Sequence, residues 1–166
     1  MSQDSLYADV ERLLGHGLRY KQVARLSGMP LPYTQRMASV SGVSCFKTGR
    51  DRRSVRELMR CPAEYSLCSA FLSVLFSILR GRPLSALSTR DVIAAIDALH
   101  LTRPALVEEC DWERAINSIF LLDDGLLRLV PCAQCRSDVL IDAETLEEGA
   151  LCSLCDASHQ PELELA

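Results

Sequence analysis

The sequence has no apolar run of about eighteen residues, the length a helix needs to cross a bilayer. Its longest candidate, AFLSVLFSIL at 70–79, is too short and is interrupted by serines, so it reads as a buried helix. The opening residues MSQDSLYADVERL are acidic and polar, where a secretory leader would be basic and then apolar. The expectation is a cytoplasmic chain with no membrane span. Catalytic fingerprints are also missing: there is no P-loop, dinucleotide glycine pattern, HExxH helix or nucleophile elbow. The acidic pairs Asp123–Asp124 and Glu147–Glu148 stand beside glycines and read as solvated turns before catalytic dyads. His16 and His100 are far apart in the chain, with no ligand spacing around either, and read as ordinary histidines. The expectation is that the protein is not an enzyme.

What is present supports a core. The 166 residues are 48% hydrophobic, enough for one medium domain or a domain with an appendage, and disorder is not the default. Leu6, Val10, Leu13 and Leu14 recur at helical spacing, with Asp4 or Ser5 as a possible cap. CPAEYSLCSAFLSVLFSILRG is apolar nearly all round and should lie at the centre, ending at Gly81. STRDVIAAIDALHL takes Ser88 or Thr89 as N-cap and places Val92, Ile93, Ile96 and Leu99 on one face. A further helix runs from about Pro104, with a break near Cys110. The fold class is therefore mainly α, with a helical domain over 1–125 and a small unit over 126–166.

Charge is distributed unevenly. The net charge is −4, yet residues 1–60 hold 11 Lys/Arg against 5 Asp/Glu, leaving the remainder acidic. Within the basic part, residues 21–40 read as helix, tight turn, helix. Val23, Ala24 and Leu26 sit on a short helix ending at Gly28, MPLP makes the turn, and YTQRMASV starts the second helix. In a DNA-binding helix-turn-helix, Gln35 and Arg36 would lie near the start of the second helix, where Gln pairs with adenine and Arg with guanine. The same pattern serves an ordinary helical hairpin, and both readings stand. Residues 46–60 are the most basic segment, with Lys47, Arg50, Arg52, Arg53 and Arg56 able to meet phosphates without reading sequence. The rival is a surface that meets an acidic partner.

The most specific signal is in the cysteines. There are eight, and four form the pattern Cys132-x2-Cys135-x16-Cys152-x2-Cys155. Each CxxC turn lets two sulfurs converge on one ion, and the spacing is that of a four-cysteine zinc ribbon with Val139, Leu140 and Ile141 as a strand. Four thiolates leave no open position for water, so such a zinc is structural. It replaces a core that some two dozen residues cannot build alone. Cys45, Cys61, Cys68 and Cys110 share no spacing motif and read as buried thiols.

The stretch WERAINSIFLLDDGLLRLVPCAQCRSDVLIDAETLEEGALCSLC resembles the C-terminal half of the FlhC family, a subunit of the flagellar master transcriptional regulator. The N-terminal LLGHGLRYKQVARLSGMPLPYTQRM is also similar, with weaker motif content. The resemblance implies Cys132, Cys135, Cys152 and Cys155 as zinc ligands and FlhD as partner in a heterohexamer of four FlhD and two FlhC. It also implies activation of flagellar promoters through RNA polymerase. The sequence departs from the family at SCFKTGRDRRSVRELM, where members usually carry a proline-rich, aromatic segment, and in its acidic ending HQPELELA. The readings from other classes are a divergent zinc-ribbon interaction module that does not bind DNA, and a thiol redox sensor.

Overall fold

Apolar spacing of three and four residues produces the helices of the computed structural model, which describes residues 3–40, 55, 62–108, 111–144, 149–152 and 155. Helix α1 (Gln3–Gly15) buries Val10, Leu13 and Leu14 on one stripe. It begins before Asp4 and Ser5, so neither is its cap; the Ser5 hydroxyl accepts a hydrogen bond from Arg90 instead. Helix α2 (Tyr20–Ser27) stops at Gly28, whose φ of 66° is the left-handed conformation that glycine adopts without a Cβ clash. Helix α3 (Leu31–Val40) follows at once and packs on α2 as a helical hairpin, burying Thr34 and Ala38.

Helix α4 (Pro62–Leu79) is the central element. It buries Leu67, Phe71, Leu72, Leu75 and Leu79, and packs against α5 (Thr89–Thr102), α7 (Trp112–Asp123) and the strand β2 (Asp138–Asp142). Arg80 and Gly81, both at positive φ, end it. Ser88 caps α5: its hydroxyl accepts from the Asp91 N–H, and the Asp91 carboxylate accepts from the Ser88 N–H, a reciprocal capping box. The short α6 (Pro104–Val107) turns the chain, and Asp111 caps α7 by accepting from the Glu113 N–H. Strand β1 (Leu127–Pro131) pairs antiparallel with β2 in the register Leu127 with Asp142, Leu129 with Leu140 and Pro131 with Asp138. Leu127 and Leu140 enter the helical core, while Val130, Val139 and Ile141 gather with Cys132 and Cys152 in a second cluster. Tyr65 of α4 packs against both clusters and links them.

Two features were not legible in the sequence. His16 and His100, far apart in the chain, meet with ring centroids 5.9 Å apart, and both lie against Trp112 at 6.4 and 5.6 Å. The end of α1 and the end of α5 run into the same corner, a meeting that no spacing in the chain announces, and both remain ordinary histidines rather than ligands of the cysteine cluster. Strand β1 is the other. Its residues carry no clean alternation, and their burial comes from pairing with β2 under α4. Among the described residues, no helix is long and apolar enough to cross a membrane.

Candidate metal centre and the exposed face of α3

The first CxxC lies in the turn of the β1–β2 hairpin, so strand pairing itself sets the position of Cys132 and Cys135. The Cys132 N–H donates to the Ser137 carbonyl at 2.7 Å, and the Arg136 N–H donates to the Cys132 carbonyl at 3.0 Å, closing the knuckle. Arg136 takes a φ of 65° to complete that turn. The second CxxC folds back onto the first. The Ala133 N–H donates to the Ala150 carbonyl at 2.9 Å, and the Cys152 N–H points at the Cys132 sulfur at 3.4 Å.

These bonds bring the sulfurs of Cys132, Cys135, Cys152 and Cys155 within 4.8 Å of one another, and those of Cys135 and Cys152 to 3.6 Å. The cluster is a site that could hold a metal ion. Its sulfurs do not share one environment: backbone N–H groups of Cys135 and Cys152 hold the Cys132 thiol down at about 6. The crowding of Cys152 and Cys135 sulfurs pushes Cys155 up to about 12. A cation among the four sulfurs would relieve that competition, because each would bind it as a thiolate. Cys132 and Cys152 are buried, Cys135 is exposed, and Cys68 is buried in the helical core, as expected for a packing thiol. Cys45, Cys61 and Cys110 lie outside the described residues.

Polar contacts from Arg19, Gln22 and Arg25 fasten the α2–α3 hairpin to the core. Arg19, just before it, pairs with Glu113 of α7 at 2.8 Å, both side chains largely buried. The Gln22 amide donates to the Glu113 backbone carbonyl at 2.9 Å and to the Asn117 side-chain Oδ1 at 2.8 Å, and its own oxygen accepts from the Arg19 N–H at 3.2 Å. Arg25 lies over the Phe120 ring at 4.1 Å and pairs with Asp124 at 3.2 Å. Nothing in local spacing marks this network, because its partners are some ninety residues apart in the chain.

Helix α3 is different. Gln35 and Arg36 are exposed, and neither side chain makes an ion pair or side-chain hydrogen bond among the described residues. Tyr33 and Val40, on the same helix, are 59% and 81% exposed. Lys47, Arg50, Arg52, Arg53 and Arg56 lie outside the described residues.

A scan against models of known protein families gives no match, and no curated protein matches the chain. The functional reading therefore rests on the geometry above and on the cysteine motif.

Proposed function

We propose that this chain is a non-enzymatic, DNA-binding regulatory protein whose C-terminal hairpin is closed by one structural zinc ion. The zinc assignment rests on fit. Zinc holds thiolates at about 2.3 Å, so the edges of its sulfur tetrahedron are about 3.8 Å. The 3.6 Å between Cys135 and Cys152 sits at that length, and the outer limit of 4.8 Å needs only a small contraction. Thiolate-only ligation is the set that zinc favours among common cytosolic divalent ions. When bound, the ion supplies a cross-link between the two knuckles rather than a reactive centre.

One observation carries the DNA part: Arg19, Gln22 and Arg25 are engaged by α7 and its C-terminal end, while Gln35 and Arg36 of α3 are exposed and make no ion pair or side-chain hydrogen bond among the described residues. A helix-turn-helix needs that division, one helix held by the body and the next offered to the groove. The cysteine spacing and its approach, GLLRLVPCAQC, suggest a regulator of the FlhC kind. In that reading it acts with an FlhD-like partner at flagellar promoters and, through them, on RNA polymerase. The exposed Tyr33 and Val40 favour a second reading in which α3 docks a protein partner and the chain itself never touches DNA.

Salt titration of the zinc-loaded chain on promoter and scrambled duplexes, with and without an FlhD-like partner, separates the two. In the DNA reading Arg36→Ala costs roughly 1–3 kcal/mol on the true site and little on scrambled DNA. Joint replacement of Arg52 and Arg53 by alanine weakens both duplexes and flattens the salt slope by roughly 1–2 units. If neither change alters DNA binding while Tyr33→Ala abolishes partner binding, the interaction-module reading replaces it.

A further inference from the structure

A groove of about 640 Å³ runs between α4, the corner where α5 gives way to α6, and the first metal knuckle. That volume lies within the range of small-molecule sites, about 300–1,000 Å³. Its floor is apolar: Ala70, Val74 and Leu106 line it and are only partly buried, with the fully buried Leu99 beneath them. In the wall, the Ser69 hydroxyl oxygen is buried with no hydrogen-bond partner among the described residues. A buried hydroxyl left unpaired costs stability unless something arrives to pair it.

The rim carries two cations. Arg103 stands at the α5–α6 corner and Arg136 on the knuckle turn, and both line the groove. Elsewhere arginines find carboxylates: Arg12 pairs with Asp97, Arg82 with Asp91 and Arg90 with Asp9. Arg103 and Arg136 make no ion pair among the described residues. Asp138 also lines the groove, so two guanidinium groups stand there against one carboxylate. An apolar floor, an orphaned hydroxyl and two unpaired guanidinium groups together describe an amphiphile with an anionic head.

We infer that this groove binds a small organic anion with an apolar body, its head held by Arg103 and Arg136 and its body laid on Ala70, Val74 and Leu106. Carboxylates, sulfonates and phosphate monoesters share the required head-group chemistry, since each offers a guanidinium two acceptor oxygens. The site is separate from α3 and adjoins the metal cage, with which it shares Cys152. Its occupancy is independent of whether the chain binds DNA.

The test uses the folded, zinc-loaded full chain and a matched pair of fluorescent probes. 1-Anilinonaphthalene-8-sulfonate has the apolar body and the anion; N-phenyl-1-naphthylamine has the same body and no charge. The sulfonate is expected to bind saturably at one site per chain and to be displaced by octyl phosphate. Arg103→Gln and Arg136→Asn are each expected to weaken it about tenfold, the loss of one charge-assisted contact. Both arginines are exposed and asparagine tolerates the left-handed turn, so both variants should keep the wild-type circular dichroism. The neutral probe should bind more weakly and ignore both substitutions. Equal binding of the two probes, or sulfonate binding unmoved by both substitutions, would overturn the assignment and leave only an apolar crevice.

Discussion

Glu113 and Arg19 meet at 2.8 Å where water scarcely reaches, with side-chain exposures of 5% and 12%. Removing one partner strands the other. Glu113→Ala should therefore cost about 3–5 kcal/mol in urea unfolding, and the paired replacement of Arg19 and Glu113 by leucine should recover most of it. A single-mutant loss no larger than that of an exposed pair such as Arg12–Asp97 would mean that the site is wetter than its geometry implies. The cysteines make a second prediction at this scale. The zinc-loaded chain should hold about one zinc ion, and Cys132→Ser should release it and melt the β1–β2 hairpin. Elemental analysis and hydrogen exchange of strand amides check both halves. A folded, reduced chain free of metal would end the zinc assignment.

Single helices gain their ends from short-range chemistry. Ser88 and Asp91 close the start of α5, and Arg82 adds a further bond to the Asp91 carboxylate at 2.6 Å. Burial alone would raise that carboxyl, but the bonds from Arg82 and Ser88 outweigh it and hold Asp91 below its ordinary value. Ser88→Ala should lower stability by about 1 kcal/mol, with the loss in thermal unfolding accompanied by faster exchange in the first turn of α5. The α2–α3 hairpin shows a different economy: its turn is set locally by Gly28, but its seat on the body is set by Gln22, which meets α7 about ninety residues on. Element formation and element placement thus have separate causes, and a change at Gln22 should loosen the hairpin without unwinding either helix.

Across the whole molecule, pH should act through the corner where α1, α5 and α7 meet. Burial first, and then His100, hold His16 below its ordinary value; Asp97 pulls the other way and Arg12 adds to the lowering. A histidine kept neutral by the fold takes up its proton more readily in the unfolded chain. Its contribution is therefore complete above about pH 6.5 and is lost as the pH falls from there through the lowered folded value. The urea midpoint should drop between pH 7.5 and 5.5, and His16→Gln should flatten that drop. Trp112, the only tryptophan in the sequence, touches both rings and reports the same event by its fluorescence. A midpoint with the same pH slope in His16→Gln would assign the effect to other groups.

The sequence by itself determined what depends on neighbours a few residues away. The apolar stripe of α1, the stop at Gly28, the Ser88 cap and the strand at Val139–Ile141 each follow from spacing or from one residue's conformational range. The two CxxC turns belong with them, because a turn of four residues converges two sulfurs wherever it is placed. Tertiary structure decided what depends on which distant surfaces meet. Packing of α1 against α5 brought His16 to His100, and packing of α2 against α7 buried Arg19 on Glu113. Pairing with β2 made a strand of Leu127–Pro131, and the meeting of α4, α6 and the knuckle opened the groove. Local order is governed by steric and hydrogen-bond preferences that each short segment carries with it. Long-range pairing is chosen by which combination buries the most apolar surface while leaving the fewest polar groups alone, and no segment carries that information singly.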